Sequence, residues 1–203
     1  INTTYTSANT TSGFSISTYT GTGANATIGH GLGVAPQVVI YKRTSATGNW
    51  FMYNKNIGNT KYLNLDATSA VQTYNVFQNT DPSSTLLYVS GDSGANASSG
   101  TYVAYCFAEK QGYSKMGSYI GNGNADGTFV YTGFKPAFVL IKDSGRAESW
   151  YIFDNRRLGY NGGMADLIPN STATESGSSA TLLDLVSNGF KLTGTTDHLN
   201  GSG

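Results

Sequence analysis

Two tryptophans, two histidines, a single cysteine and scattered acids are the residues of this 203-residue chain whose types could do chemistry. A Ser-His-Asp device needs an imidazole held by an acid on one side and facing a nucleophile on the other. His30 sits between Gly29 and Gly31, and His198 follows Asp197 in a terminal loop; neither stands near a nucleophile-elbow glycine pattern. A glycosidase needs two opposed carboxylates at a set distance. Asp143, Glu148 and Asp154 cluster around Trp150 and read as solvated loop acids. The run Asn122-Gly123-Asn124-Ala125-Asp126-Gly127 opens with calcium-loop spacing, but the position where a bidentate acid would close the site is Gly133. An Asx-rich turn accounts for it. The expectation is a non-enzymatic chain without metal or cofactor. Trp50 and Trp150 stand as candidate glycan contacts, since aromatic faces stack on sugar rings. Core packing is the stronger reading for both, because two related sandwiches would each keep such a residue.

The elements that must position these residues follow from composition. The chain has 26 Gly, 14 Tyr and only 12% charged residues, about half the usual share of roughly 25%. Tyr, Thr, Val and Phe suit a pleated, half-buried surface, while Gly, Asn and Ser supply turns. Twelve basic and twelve acidic residues cancel, so no overall field attracts nucleic acid or anionic lipid. Weak mutual repulsion also fits life within a homo-oligomer better than as a free monomer. Cys106 stands alone, which excludes an internal disulfide framework and a cysteine-clustered zinc site. No stretch approaches the ~20 apolar residues of a helical membrane span. The start, Ile1-Asn2-Thr3-Thr4, reads as an internal segment.

The chain repeats itself at a constant offset of 100. Tyr19, Gly21 and Gly23 match Tyr119, Gly121 and Gly123; Gly33, Pro36, Lys42 and Trp50 match Gly133, Pro136, Lys142 and Trp150. Val38-Val39-Ile40 answers Phe138-Val139-Leu140 between these anchors, and Gly13-Phe14-Ser15 answers Gly112-Tyr113-Ser114 with one residue of slippage. The division expected is a linker or arm at 1–12, a first β-sandwich repeat at 13–109 and a second at 110–203. Both copies end in a Gly/Asn/Ser loop, Asn96 to Gly100 and Asn200 to Gly203. The first loop leads into the apolar run Thr101 to Glu109, and the chain stops where the second such run would begin. Continuation of the natural polypeptide is the expectation, with donation of a strand by a neighbouring subunit as the alternative.

Period-2 alternation bounded by turn residues predicts strands near 14–20, 26–29, 36–43, 49–54, 61–65, 73–78, 85–90 and 101–109. In the second copy it predicts 113–120, 128–131, 136–143, 149–154, 181–186 and 189–193, with a hairpin turn at Asn188-Gly189. Only Met164 to Ile168, closed by Pro169, has the composition for a short helix. The fold class is therefore all-β, two tandem sandwich or jelly-roll-like repeats. Strand 101–109 is apolar on both faces, with Val103, Tyr105 and Phe107 on one and Tyr102, Ala104, Cys106 and Ala108 on the other. The second set is the candidate interface.

The motifs Gly13-Phe14-Ser15-Ile16-Ser17, Gly29-His30-Gly31-Leu32-Gly33-Val34-Ala35-Pro36 and Tyr102-Val103-Ala104-Tyr105-Cys106-Phe107-Ala108-Glu109 resemble an uncharacterised repeat domain. It occurs in tail and virion structural proteins of marine tailed phages, including those of cyanobacteria. The junction Phe107-Ala108-Glu109 to Gly112-Tyr113-Ser114-Lys115 is of the same kind. The resemblance covers nearly the whole chain from Gly13 and implies a location, the surface of a virion, rather than a reaction. It points to a tail fibre, appendage or decoration component that partners its own copies and other virion proteins. A glycan-binding adhesin contacting the host surface is the alternative, and a polysaccharide-degrading enzyme the weakest reading.

Overall fold

The computed structural model describes residues 4–157, 161, 165–175 and 182–202. These residues form a nearly all-β protein of antiparallel strands. The chain divides into two compact units, Ile1–Leu65 with Val71–Met116, and Asp66–Ala70 with Gly117–Gly203.

The first unit contains β1 (Thr4–Asn9), β2 (Phe14–Thr20), β3 (Ala26–Gly29), β4 (Val38–Arg43), β5 (Trp50–Asn54), β6 (Lys61–Asn64), β7 (Gln72–Thr73), β8 (Leu86–Val89), the single turn α1 (Ser93–Asn96) and β9 (Thr101–Phe107). Seven strands make one sheet in the order β1-β2-β9-β4-β5-β6-β7, and β3 pairs β8 as a separate ribbon. The period of two decides which side chains meet. Register sets Tyr19 beside Tyr102, Ala104 between Ser17 and Tyr41, and Cys106 beside Val39. These residues face Ile28, Leu87 and Val89 of the ribbon in one buried cluster. Two layers around one core result.

The second unit contains β10 (Phe129–Tyr131), β11 (Phe138–Lys142), β12 (Trp150–Asp154), β13 (Leu183–Val186), β14 (Gly189–Leu192) and the single turn α2 (Asp197–Asn200). The hairpin β11-β12 and the sheet β10-β14-β13 share a core built on Val139, Ile141, Phe153, Leu185, Phe190 and Leu192.

Several expectations need correction. Residues 4–9 of the supposed linker are a strand, the edge of the large sheet. Its side chains are mostly exposed, so no apolar alternation marks it; Asn9 Oδ1 accepts from the amides of Thr11 and Ser12, and Gly13 at φ 71° completes the turn into β2. Of residues 73–78 only Thr73 is strand, as the end of β7. Val76 and Phe77 are buried, but the backbone bends, with Gln78 and Asn79 at positive φ. Residues 113–120 form no strand. In the first unit β2 is held between β1 and β9; no described strand flanks 113–120. The hairpin turn is Ser187-Asn188, with Gly189 already paired to Val186, one residue earlier than expected. Residues 165–168 form no helix: the Leu167 backbone exchanges both of its hydrogen bonds with Ile152 of β12, which a helical turn would not leave free. Met164, Thr181 and Gly203, which belonged to the predicted helix, strand and terminal loop, lie outside the described residues.

Candidate functional site

The motif Tyr-x-Gly-x-Gly, repeated at 19–23 and 119–123, turns out to be one half of a latch whose other half is an asparagine. In the first unit Asn96 Oδ1 accepts from the Thr22 amide at 2.9 Å, and Asn96 Nδ2 donates to the carbonyls of Ala24 at 2.5 Å and Ser90 at 2.9 Å. The Asn96 carbonyl takes the Gly23 amide at 2.8 Å. Tyr19 Oη donates to the Ala95 carbonyl at 2.5 Å. A side chain on Gly21 would overlap the Ala97 carbonyl oxygen, so only glycine lets the two backbones touch. In the second unit Asn200 Oδ1 accepts from the Asn122 amide at 3.1 Å, and Nδ2 donates to the carbonyls of Asn124 and Gly194, both at 2.8 Å. Its carbonyl takes the Gly123 amide at 2.7 Å, Tyr119 Oη donates to the Leu199 carbonyl at 2.7 Å, and a Gly121 side chain would overlap Gly201. Asn96 and Asn200 are both essentially fully buried. They occupy the last position of the single turns α1 and α2. Gly21 and Gly121 therefore serve close backbone approach, while Gly23 and Gly123 supply positive φ at the turn. Sequence reading missed the asparagines, although each opens the Gly/Asn/Ser loop that ends its repeat.

The predicted site residues fall in different places. Tyr102, Ala104, Cys106 and Ala108 lie in the core of their own unit, at most 2% exposed. Within the unit they are core residues rather than a surface; the other side chains of β9 lie on the opposite face of the sheet. There Phe14 lies beside Phe107 and Tyr105 between Ile16 and Ile40, with Trp50 stacked on Tyr105 at 6.2 Å, and these side chains are half-buried. Trp50 also carries Lys42 Nζ over its ring at 5.5 Å. Trp150 is buried, and its amide donates to Asn170 Oδ1. Burial pushes the Cys106 thiol up to about 12, so it is an inert core residue.

The titratable candidates are engaged locally. His30 is fully buried, accepting the Leu32 amide at Nδ1 and donating from Nε2 to the Ser83 carbonyl. Desolvation holds its pKa below the ordinary value. His198 stacks on Tyr151 at 4.4 Å. Asp143 Oδ1 caps its own loop at the amides of Gly145 and Arg146, and Asp154 is bound by Arg157 at 2.6 Å, which holds its carboxyl below the usual range. Asp154 pairs with Phe138, at the far end of β11 from Asp143, roughly 16 Å of strand away. A glycosidase pair stands at about 5–10 Å. In the supposed calcium loop, Asn122 and Asn124 accept backbone amides of the loop itself and Asp126 pairs with Lys191 at 2.6 Å.

Two surface features remain. In the second unit Phe129 and Tyr131 project from the same side of edge strand β10, 45% and 66% exposed, and Thr128 Oγ1 donates to the carbonyl of Ile120, itself 78% exposed. In the first unit a cleft of about 270 Å³ is lined by Arg43, Asn49, Phe51, Asp92 and Gly94. Its floor exists because Gly94 has no side chain to displace the Phe51 ring. Among the described residues no group of His, Cys, Asp and Glu could hold a metal, and no helix is long and apolar enough to cross a membrane.

No curated protein and no solved structure matches the chain. A family described as a domain of unknown function, DUF7483, matches residues 1–203, and the chain belongs to that family.

Proposed function

We propose that the two units are diverged copies of one jelly-roll-like sandwich and that the chain is a structural component of a tailed-phage particle. In this reading it builds a tail fibre, appendage or decoration layer, joined to its own copies and to other virion proteins. Support for the copies comes from the latch: Tyr, the second Gly and Asn make corresponding bonds in both units, and the first Gly meets the facing backbone in both. Support for the particle comes from the resemblance of the motifs at 13–17, 29–36 and 102–109. The observation that carries assembly is the exposure of Phe129 and Tyr131 on β10, an edge strand among the described residues, with exposed Ile120 held beside it by the bond from Thr128. An exposed aromatic edge is a template for association unless a partner covers it. The zero formal charge does nothing to oppose that contact. Mass spectrometry of density-purified particles of the phage that encodes this chain tests the reading. Recovery in stoichiometric amounts, with antibody labelling on the outside, is expected; absence from the particles overturns it.

Host-surface glycan attachment is a second reading, favoured by the cleft in the first unit. Phe51 offers an apolar face there, with Arg43, Asn49 and Asp92 at its margins to bond hydroxyls. Binding on a glycan array that Phe51→Ala abolishes would support it.

A further inference from the structure

The two units differ where a hairpin loop faces the turn that carries the latch asparagine. Alignment on the last residue of each turn, Asn96 and Asn200, sets Ser93 opposite Asp197 and Gly94 opposite His198. The constant offset sets Phe51 opposite Tyr151 and Ala46 opposite Arg146. In the second unit these residues fill the space between loop and turn. The His198 imidazole stacks on the Tyr151 ring at 4.4 Å. Arg146, from the loop joining β11 to β12, reaches α2, where Nη1 donates to the Asp197 carbonyl and Nη2 to the Ser202 carbonyl, each at 3.3 Å. An ion pair to Asp197 at 3.5 Å holds the guanidinium there. The first unit has no side chain for either role. The Phe51 ring lies directly against the backbone at Gly94, and Ala46 offers only a methyl group. The cleft of about 270 Å³ between the β4–β5 loop and α1 takes the place of these contacts.

One cation in that cleft lacks an acid. Arg43, Arg146 and Arg157 are the half-buried arginines of the chain. Arg146 and Arg157 hold carboxylates, whereas Arg43 has no ion pair among the described residues. Its Nε donates to Ser45 Oγ at 3.3 Å and its guanidinium lies over the Tyr102 ring at 6.0 Å. Those contacts orient the fork and leave both Nη groups for an incoming acceptor. A planar fork matches a carboxylate, or the like-spaced oxygens of a sulfate ester. From this we infer that the cleft takes one ring of an anionic saccharide, a sugar unit bearing a carboxylate or a sulfate ester. Arg43 binds the anionic group and Phe51 packs on the apolar face of the ring. The Asn49 amide and Asp92 take hydroxyls; Asp92 Oδ1 already accepts the Gly94 amide at 2.8 Å, and its second oxygen has no partner among the described residues. The volume fits a single ring, since sites for drug-sized ligands run from roughly 300 Å³ upward. The inference rests on the host-glycan reading and deepens it by naming the ligand class. The second unit, whose own imidazole and guanidinium take these places, does not share the site.

The test probes an array of galactose and glucose oligosaccharides in three forms, neutral, uronate and sulfated, with the full chain. Binding to anionic forms at least about tenfold tighter than to their neutral counterparts is expected, and whether the uronate or the sulfated form is bound separates the two sources of the anionic group. Arg43→Gln, with folding checked by circular dichroism, is expected to lose that preference. Asn49→Ala, at an exposed loop position, leaves the fold intact and is expected to weaken binding at least about twofold. Hydrogen–deuterium exchange locates the bound sugar, with slowing expected at residues 43–51 and 92–94. Neutral forms bound as tightly as anionic ones, in a way that Phe51→Ala abolishes, overturn the inference and leave the glycan reading standing. An anionic preference that survives Arg43→Gln, or protection elsewhere in the chain, also overturns it. Binding to none of the three forms overturns the inference together with the glycan reading.

Discussion

Asn96 offers the sharpest perturbation of the latch. Replacing it with Ala removes the acceptor of the Thr22 amide and the donor to the carbonyls of Ala24 and Ser90. Asn96 and Ser90 are buried, whereas Thr22 and Ala24 lie at the surface, so the Ser90 carbonyl is the group left without ready access to water. A buried polar group left without its partner costs about 1–3 kcal/mol, and a bond lost where water can replace the partner about 0.5 kcal/mol at the low end. One stranded carbonyl and two such bonds give about 2 kcal/mol at the low end, a sizeable part of a domain's typical stability of about 5–15 kcal/mol. For a unit of this size that lowers Tm by roughly 8–16 °C, at about 4–8 °C per kcal/mol. Asn96→Asp is the discriminating companion. It keeps shape and the Oδ1 acceptor, but sets a carboxylate oxygen against two carbonyls. Its folded-state pKa is then raised above the unfolded value of about 3.9, so the variant is worse than Ala at pH 7 and recovers as pH falls. Differential scanning calorimetry across pH reads both. An Asp variant with wild-type stability at pH 7 would refute the hydrogen-bond account and leave Asn96 as a space filler.

Glycine positions separate close approach from mere flexibility: Gly21→Ala should cost at least about 2 kcal/mol through overlap with the Ala97 carbonyl, whereas Gly48→Ala, with open space around it, should shift stability by less than about 1 kcal/mol. Thermal melts of the two variants check this. For His30, burial favours the neutral ring, so the unfolded chain binds the proton more readily. Stability is then full above the ordinary value of 6.5 and declines as pH falls below it, and His30→Gln should flatten that decline in a pH series of urea melts. Cys106, buried with its thiol pushed up to about 12, should react with a disulfide reagent only as fast as the first unit opens. Labelling that outruns unfolding would contradict its placement.

Strand positions in the first unit were legible because alternation, β-branched residues and turn glycines agree there, as at β2, β4, β5 and β9. Burial was legible without conformation at Val76 and Phe77, whose apolar character predicts a core position but not the bend forced by Gln78 and Asn79. β1 was hidden because an edge strand with solvent on both sides carries no pattern. Residues 113–120 have the pattern of β2 but lack its neighbours, since pairing, not propensity, completes a strand. The repeat exposed the tyrosine and glycines of the latch, while Asn96 and Asn200 sit at offset 104 rather than 100 and so escaped the comparison. Which face of β9 meets the core depends on where β3 and β8 lie, a tertiary fact that composition does not carry.

Assembly through apolar surfaces is the central claim, and sedimentation velocity over a wide concentration range tests it most directly, comparing the wild type with a Phe129→Ser, Tyr131→Ser double variant. Both side chains are exposed, so the variant should fold with unchanged circular dichroism. The account predicts reversible association of the wild type beyond the mass of one chain, weakened at least about tenfold in Kd by the double substitution. A wild type that stays a single chain at every concentration, or a variant that associates as strongly, would contradict it.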